Sequence, residues 1–111
     1  MAYRSKYGNK KVTYKGMTFD SIKERDRWIE LDFMQQAGRI WDLKRQVRFT
    51  VIPAQYIDGK CVEKACTYVA DFTYKDERGL IVEDCKGFKT EVYKIKRKLM
   101  LKEKGIRVRE T

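Results

Sequence analysis

Alternating and helical spacings take turns along this chain, and their order sets the first expectations. Lys11 to Phe19 alternates weakly on either side of Lys15-Gly16, which predicts a small hairpin. Asp20-Ser21 then opens a helix, because Ser21-Ile22-Lys23-Glu24 has capping-box spacing, a hydroxyl followed three residues later by Glu. Ile22, Ile29 and Phe33 share one apolar face of that helix, Trp28 and Leu31 form a second, inward-facing stripe, and Ala37-Gly38 ends it at a glycine suited to a left-handed cap. Val47, Phe49 and Val51 alternate with Arg48 and Thr50 up to Pro53, and Asp58-Gly59 marks a turn. Cys66 to Tyr74 is rich in β-branched and aromatic residues, Asp76 to Gly79 reads as a hairpin loop, and Leu80-Ile81-Val82 leads into Glu83-Asp84-Cys85-Lys86. Thr90 caps a second helix over Glu91 to Lys104, Gly105 closes it, and Ile106 to Arg109 alternates once more.

The order is helix, three strands, helix, strand. It predicts an α/β fold with a mixed central sheet flanked by helices, as one domain over residues 11–111 behind a flexible basic arm, residues 1–10. With 111 residues there is room for one modest core. No apolar run approaches the roughly 18 residues of a membrane span, and the basic start has no apolar stretch behind it, so a cytoplasmic protein is expected.

Charge and composition narrow the chemistry. The net charge is +10, and it is unevenly spread: residues 1–15 hold five basic groups and no acid, and residues 86–109 hold ten basic groups against two acids. The stretch between is slightly acidic, a distribution that suits a polyanion footprint around an acidic site. The three cysteines are an odd count, which favours free thiols, and Cys61 and Cys66 read as strand residues rather than half of a zinc site. The absence of histidine excludes Ser-His-Asp and Cys-His nucleophiles and the histidine-dependent nucleases and deaminases. Catalysis must then run on carboxylates, lysines, tyrosines, thiols or an oxygen-ligated metal.

Residues i and i+2 of a strand point the same way, so Asp84 and Lys86 share a face while Glu83 and Cys85 take the other. The preceding strand carries Asp71 just after Ala70, and a hairpin of this length sets Asp71 beside Asp84. Two close carboxylates repel unless a cation lies between them, and all-oxygen ligation favours Mg²⁺ or Mn²⁺.

Asp71 followed by Asp84-Cys85-Lys86 resembles the PD-(D/E)xK nuclease motif, with Ala70 in place of the usual proline, and the element order resembles that superfamily's αβββαβ, restriction-endonuclease-like core. More narrowly, Phe19 to Glu24, Tyr68 to Phe72 and Val82 to Thr90 resemble a phage and prophage family of small endonucleases akin to Holliday junction resolvases. The resemblance implies a metal-dependent DNA endonuclease, encoded by a phage or prophage and working as a homodimer on branched or junction DNA. It implies Asp71, Asp84 and Glu24 as ligands of Mg²⁺ or Mn²⁺, with Lys86 completing the catalytic set. Lys89, Thr90, Lys94 and Lys98 would grip phosphates beside the cut, helped by a helix N-terminus, and Gln46 would lie near the site.

Plainer readings stand beside these. Glu24 serves equally as the capping-box partner of Ser21. Lys86 reads alternatively as a solvated strand-end lysine, and Asp71 as a turn acceptor. A one-residue bulge would let Glu83 replace Asp84 as ligand. Two other functions remain open: a non-catalytic DNA-binding protein on a nuclease-like fold, and a nuclease subunit acting only within a larger phage replication or recombination complex.

Overall fold

The computed structural model describes residues 11–111; the basic arm expected over residues 1–10 lies outside the described residues. β1 (Val12–Tyr14) and β2 (Met17–Phe19) form a hairpin across Lys15-Gly16. Both turn residues have positive φ (49° and 80°), the geometry that lets a two-residue turn follow the strand twist. α1 (Ile22–Gln36) starts at Ser21, whose hydroxyl accepts from the Glu24 N–H at 3.1 Å. β3 (Trp41–Ile52) is followed by a hairpin of β4 (Gln55–Ile57) and β5 (Lys60–Glu63), then by β6 (Cys66–Asp76), β7 (Gly79–Asp84), α2 (Glu91–Lys104) and β8 (Arg109–Glu110).

The central sheet has the order β3-β6-β7-β8, antiparallel except for the parallel β7–β8 pair. The mixed sheet and two flanking helices are those expected, with additions. The strand expected from Val47 begins at Trp41, and β4–β5 is an extra hairpin lying between β3 and β6. The last strand is only two residues long, and Val108 before it is buried in the core beneath α2.

Two apolar clusters lie under the two helices. Leu31, Ile40, Phe72 and Tyr74 pack with Trp28 and Met34 of α1. Val51, Tyr68, Ala70, Val82 and Val108 pack with Tyr93 and Met100 of α2. Tyr68, Ala70, Phe72 and Tyr74 have the same parity, and an unbroken strand would turn them to one side. They divide between the two clusters instead, so β6 reverses its facing at Asp71. β3 does likewise: Leu43 packs under α1, Phe49 and Val51 under α2, and Gln46 between them has φ 52°. Since Arg45 pairs with Phe72 and Val47 with Ala70, both strands reverse at the same level, Gln46 opposite Asp71.

The inward face of α1 is carried by Glu24, Trp28 and Leu31; Ile22 and Phe33, expected on an apolar face, are exposed. No helix among the described residues is long and apolar enough to cross a membrane.

Candidate active site

The reversal at Asp71 coincides with the end of regular pairing between β6 and β7. Their register runs from Asp76↔Gly79 to Phe72↔Glu83. One position further, side chains take over from the backbone ladder: the Asp71 N–H donates to Asp84 Oδ1 at 3.2 Å, and the Cys85 N–H donates to Asp71 Oδ2 at 2.9 Å. Each carboxylate thus satisfies a strand N–H that would otherwise lose its partner where the strands part. This local role explains why two aspartates can occupy these strand ends.

The N-termini of α1 and α2 face each other across that opening. A cleft of about 560 Å³ is walled by Ser21, Glu24, Asp71, Lys86, Phe88 and Thr90, together with Asp20, Lys23, Cys85 and Gly87. Glu24, Asp71 and Lys86 are therefore brought together as expected, on three different segments. Burial pushes the Glu24 carboxyl up to about 7, reinforced by the charges of Asp71 and Asp20 and opposed by Arg45 and Lys86. Burial also raises Asp71, against the lowering effects of the Cys85 N–H and Lys86; Gln46 lies opposite Asp71 across the β3–β6 pair but is not part of the cleft wall. Glu24 Oε2 is buried without a hydrogen-bond partner among the described residues.

Asp84 is adjacent but differently placed. It is fully buried, outside the cleft wall, and pushed up to about 6 chiefly by burial. Its Oδ2 accepts from the Tyr68 hydroxyl, while Lys86 Nζ lies 3.9 Å from Oδ1 and 5.1 Å from the centre of the Tyr93 ring. Lys86 is thus an oriented partner of the carboxylates rather than a freely solvated strand end.

Glu83 takes a structural place. Its buried carboxylate receives two bonds from Arg27 of α1, Nε to Oε2 at 2.6 Å and Nη2 to Oε1 at 3.0 Å, and one from the Tyr74 hydroxyl at 2.6 Å. These bonds hold it on the α1 side of the sheet, facing away from Asp84, so substitution of Glu83 for Asp84 is not what the fold provides.

Of the four residues expected to grip phosphate, Thr90 alone lines the cleft, and its side chain also caps α2 by accepting from the Tyr93 N–H at 3.0 Å. Lys89 reaches toward Glu110 (3.9 Å) and Lys94 toward Glu91 (3.3 Å). Lys98 lies in a separate groove between α2 and β8 with Arg97, Arg107 and Arg109. Sequence reasoning passed over Asp20, Lys23 and Phe88 as cleft residues. The Asp20-Ser21 helix start and the glycine break before Phe88 were the available signals.

The cleft's donor set suits a hard divalent cation. Glu24 presents an unpartnered buried oxygen, Asp71 raises its pKa through repulsion, and both groups are carboxylates. Among the described residues no three acidic or thiol groups close around one point.

Residues 4–110 match a family described as protein of unknown function (DUF1064). The chain belongs to that family. No curated protein and no solved structure matches it. Membership in DUF1064 covers nearly the whole chain, so the cleft and both flanking helices lie within the family's shared region.

Proposed function

We propose that this DUF1064 protein is a metal-dependent DNA endonuclease of the PD-(D/E)xK type, acting on branched DNA such as a Holliday junction. The observation that carries the reading is the meeting of Glu24, Asp71 and Lys86 in the wall of one cleft at the splayed strand ends, with a Glu24 oxygen buried beside it that has no hydrogen-bond partner among the described residues. Resemblance of the Asp71…Asp84-Cys85-Lys86 pattern supplies the superfamily, and the net charge of +10 supports a polyanionic substrate.

Glu24 and Asp71 are the cleft-wall carboxylates that would hold Mg²⁺ or Mn²⁺. Asp84, buried beside them under the Tyr68 hydroxyl, would be the third ligand. When bound, the cation supplies Lewis acidity toward the scissile phosphate and acidifies water. Lys86, held by Asp84 and the Tyr93 face, brings a fixed positive charge to the side of the cleft where charge develops. The free N–H groups at the start of α2, behind Thr90, offer a further seat for a phosphate oxygen. A homodimer would present two such clefts to a two-fold-symmetric junction.

A second reading is favoured by one observation: Asp84 is sealed beneath Tyr68, as it would be in a DNA-binding protein that has lost catalysis. Cleavage of labelled four-way junction, flap, single-stranded and duplex DNA, in Mg²⁺, Mn²⁺ or EDTA, separates the two. The nuclease reading expects metal-dependent cutting that falls at least about a hundredfold in Asp71→Asn and Lys86→Ala. Tight binding with no cutting by the wild type in either metal would replace it with the binding-protein reading.

A further inference from the structure

The loop from β7 to α2 carries the most exposed large apolar residue of the described chain, and it does so inside the cleft. Phe88 is 76% exposed and lines the same wall as Glu24, Asp71 and Lys86. Among the described residues nothing covers most of its ring. Gly87 precedes it, and lysines flank it on both sides, Lys86 and Lys89, each with a partly exposed side chain. A hydrophobic side chain that serves only packing does not end in solvent between two cations.

Resting on the nuclease reading above, we propose that Phe88 is a base-stacking residue, and that the cleft's substrate is DNA with an unpaired base next to the phosphate to be cut. The chemistry of the loop fits one ligand class. A nucleotide offers an anionic phosphate for the lysines and a flat π-face for the phenyl ring, at neighbouring positions of one strand. A fully paired duplex hides that face within its own stack, so Phe88 gains a partner only at a single strand, a bulge, a flap or the open centre of a junction. Exposure of the ring before substrate arrives keeps it ready for stacking without rearrangement of the core, since no core side chain packs over it.

The competing occupant is a second copy of the chain. Val92 and Ile95 of α2 are exposed, and Phe88 in the loop before that helix is exposed as well. Exposed apolar residues of that kind also serve subunit contact. The base is favoured because Phe88 sits in the cleft wall among charged groups, whereas Val92 and Ile95 do not.

The test compares wild type, Phe88→Ala and Phe88→Trp, with Ca²⁺ in place of Mg²⁺ so that DNA stays intact. Binding to a single-stranded oligonucleotide, to a duplex carrying a two-nucleotide bulge and to the fully paired duplex is measured by fluorescence anisotropy. Oligomeric state is followed in parallel by sedimentation. Phe88→Ala should weaken the single strand and the bulge by roughly five- to a hundredfold and leave the paired duplex within about twofold. Phe88→Trp should retain affinity, and the emission it adds to that of Trp28 and Trp41, taken as the difference from wild type, should be quenched by the unpaired strand and not by the duplex. Equal losses on all three DNAs, no loss on any, or a loss that follows dissociation of a dimer would overturn the stacking role. If cutting remains sensitive to Asp71→Asn in those cases, the nuclease reading survives alone. Absence of DNA binding by the wild type would end both.

Discussion

Removing Arg27 should cost this fold more than removing any residue of the cleft. Glu83 is completely buried, and Arg27 supplies both guanidinium contacts that neutralise it, at 2.6 and 3.0 Å. Tyr74 adds a third bond and is itself contacted by Arg109 at 3.2 Å. In Arg27→Ala the carboxylate keeps the Tyr74 hydroxyl and loses its countercharge. Breaking a buried pair from one side typically costs about 3–5 kcal/mol. That is a large part of the roughly 5–15 kcal/mol that holds a domain together, and corresponds to a fall in Tm of roughly 12–30 °C. Glu83→Gln should lose less, about 1–3 kcal/mol, because Arg27 keeps some access to water and the amide retains the Tyr74 bond. A double change, Arg27→Met with Glu83→Leu, should recover most of the loss, since no charge is then stranded. Urea titrations followed by circular dichroism would measure all three. A loss below about 1 kcal/mol in Arg27→Ala would refute the reasoning. So would a Glu83→Gln protein of full stability that has lost metal-dependent cutting, because that result makes Glu83 a ligand.

Two further outcomes are expected. The folded-state pKa of Glu24 lies near 7, above its ordinary value of 4.5, so the folded protein binds the extra proton between those values. Its contribution to stability is fully present below about pH 4.5 and is lost as pH rises through 7. Glu24→Gln should remove that slope from the stability profile, and Mg²⁺ should stabilise the wild type more at pH 8 than at pH 5; identical pH profiles for wild type and variant would exclude the burial argument. Thr90→Ala removes the acceptor for the Tyr93 N–H and should cost about 1 kcal/mol in thermal unfolding, with amide exchange rising first at the start of α2.

Much of the architecture is written in local pattern. The Lys15-Gly16 turn, the Ser21 cap and the Thr90 cap are short-range devices whose chemistry is complete within four residues, and each appears where spacing placed it. The β4–β5 hairpin was less legible: Asp58-Gly59 announced its turn, but Gln55 to Glu63 is exposed throughout and has no core-facing alternation to read. The inward face of α1 was only half visible. Leu31 and Trp28 stand out as apolar, but Arg27 joins that helix to the sheet through a carboxylate 56 positions away, and no periodicity reveals such a partner. Ile22 and Phe33 then fall on the exposed side. The Lys94–Glu91 pair is an i,i+3 neighbour that spacing shows, whereas the Lys89–Glu110 pair joins the start of α2 to the chain's last strand and no local pattern reveals it.

The aspartates illustrate a coupling between fold and chemistry that neither link carries alone. Strand alternation placed Asp84 and Lys86 on one face, but β7 ends at Asp84, and Lys86 reaches to 3.9 Å from Asp84 Oδ1 from the loop beyond it. Alternation alone would also have kept Tyr68 through Tyr74 on one side, and it fails at Asp71, opposite the left-handed Gln46. That failure opens the cleft. Where β3 and β6 reverse together, the neighbouring β7 cannot continue its ladder past Glu83, and the freed N–H groups of Asp71 and Cys85 are taken by the Asp84 and Asp71 carboxylates. The same two side chains then meet Lys86 and Glu24 at the gap they stabilise. A carboxylate engaged in this way cannot be replaced by alanine without stranding a backbone donor, which is why Asp→Asn, retaining an acceptor oxygen, is the substitution that separates catalysis from folding at this site.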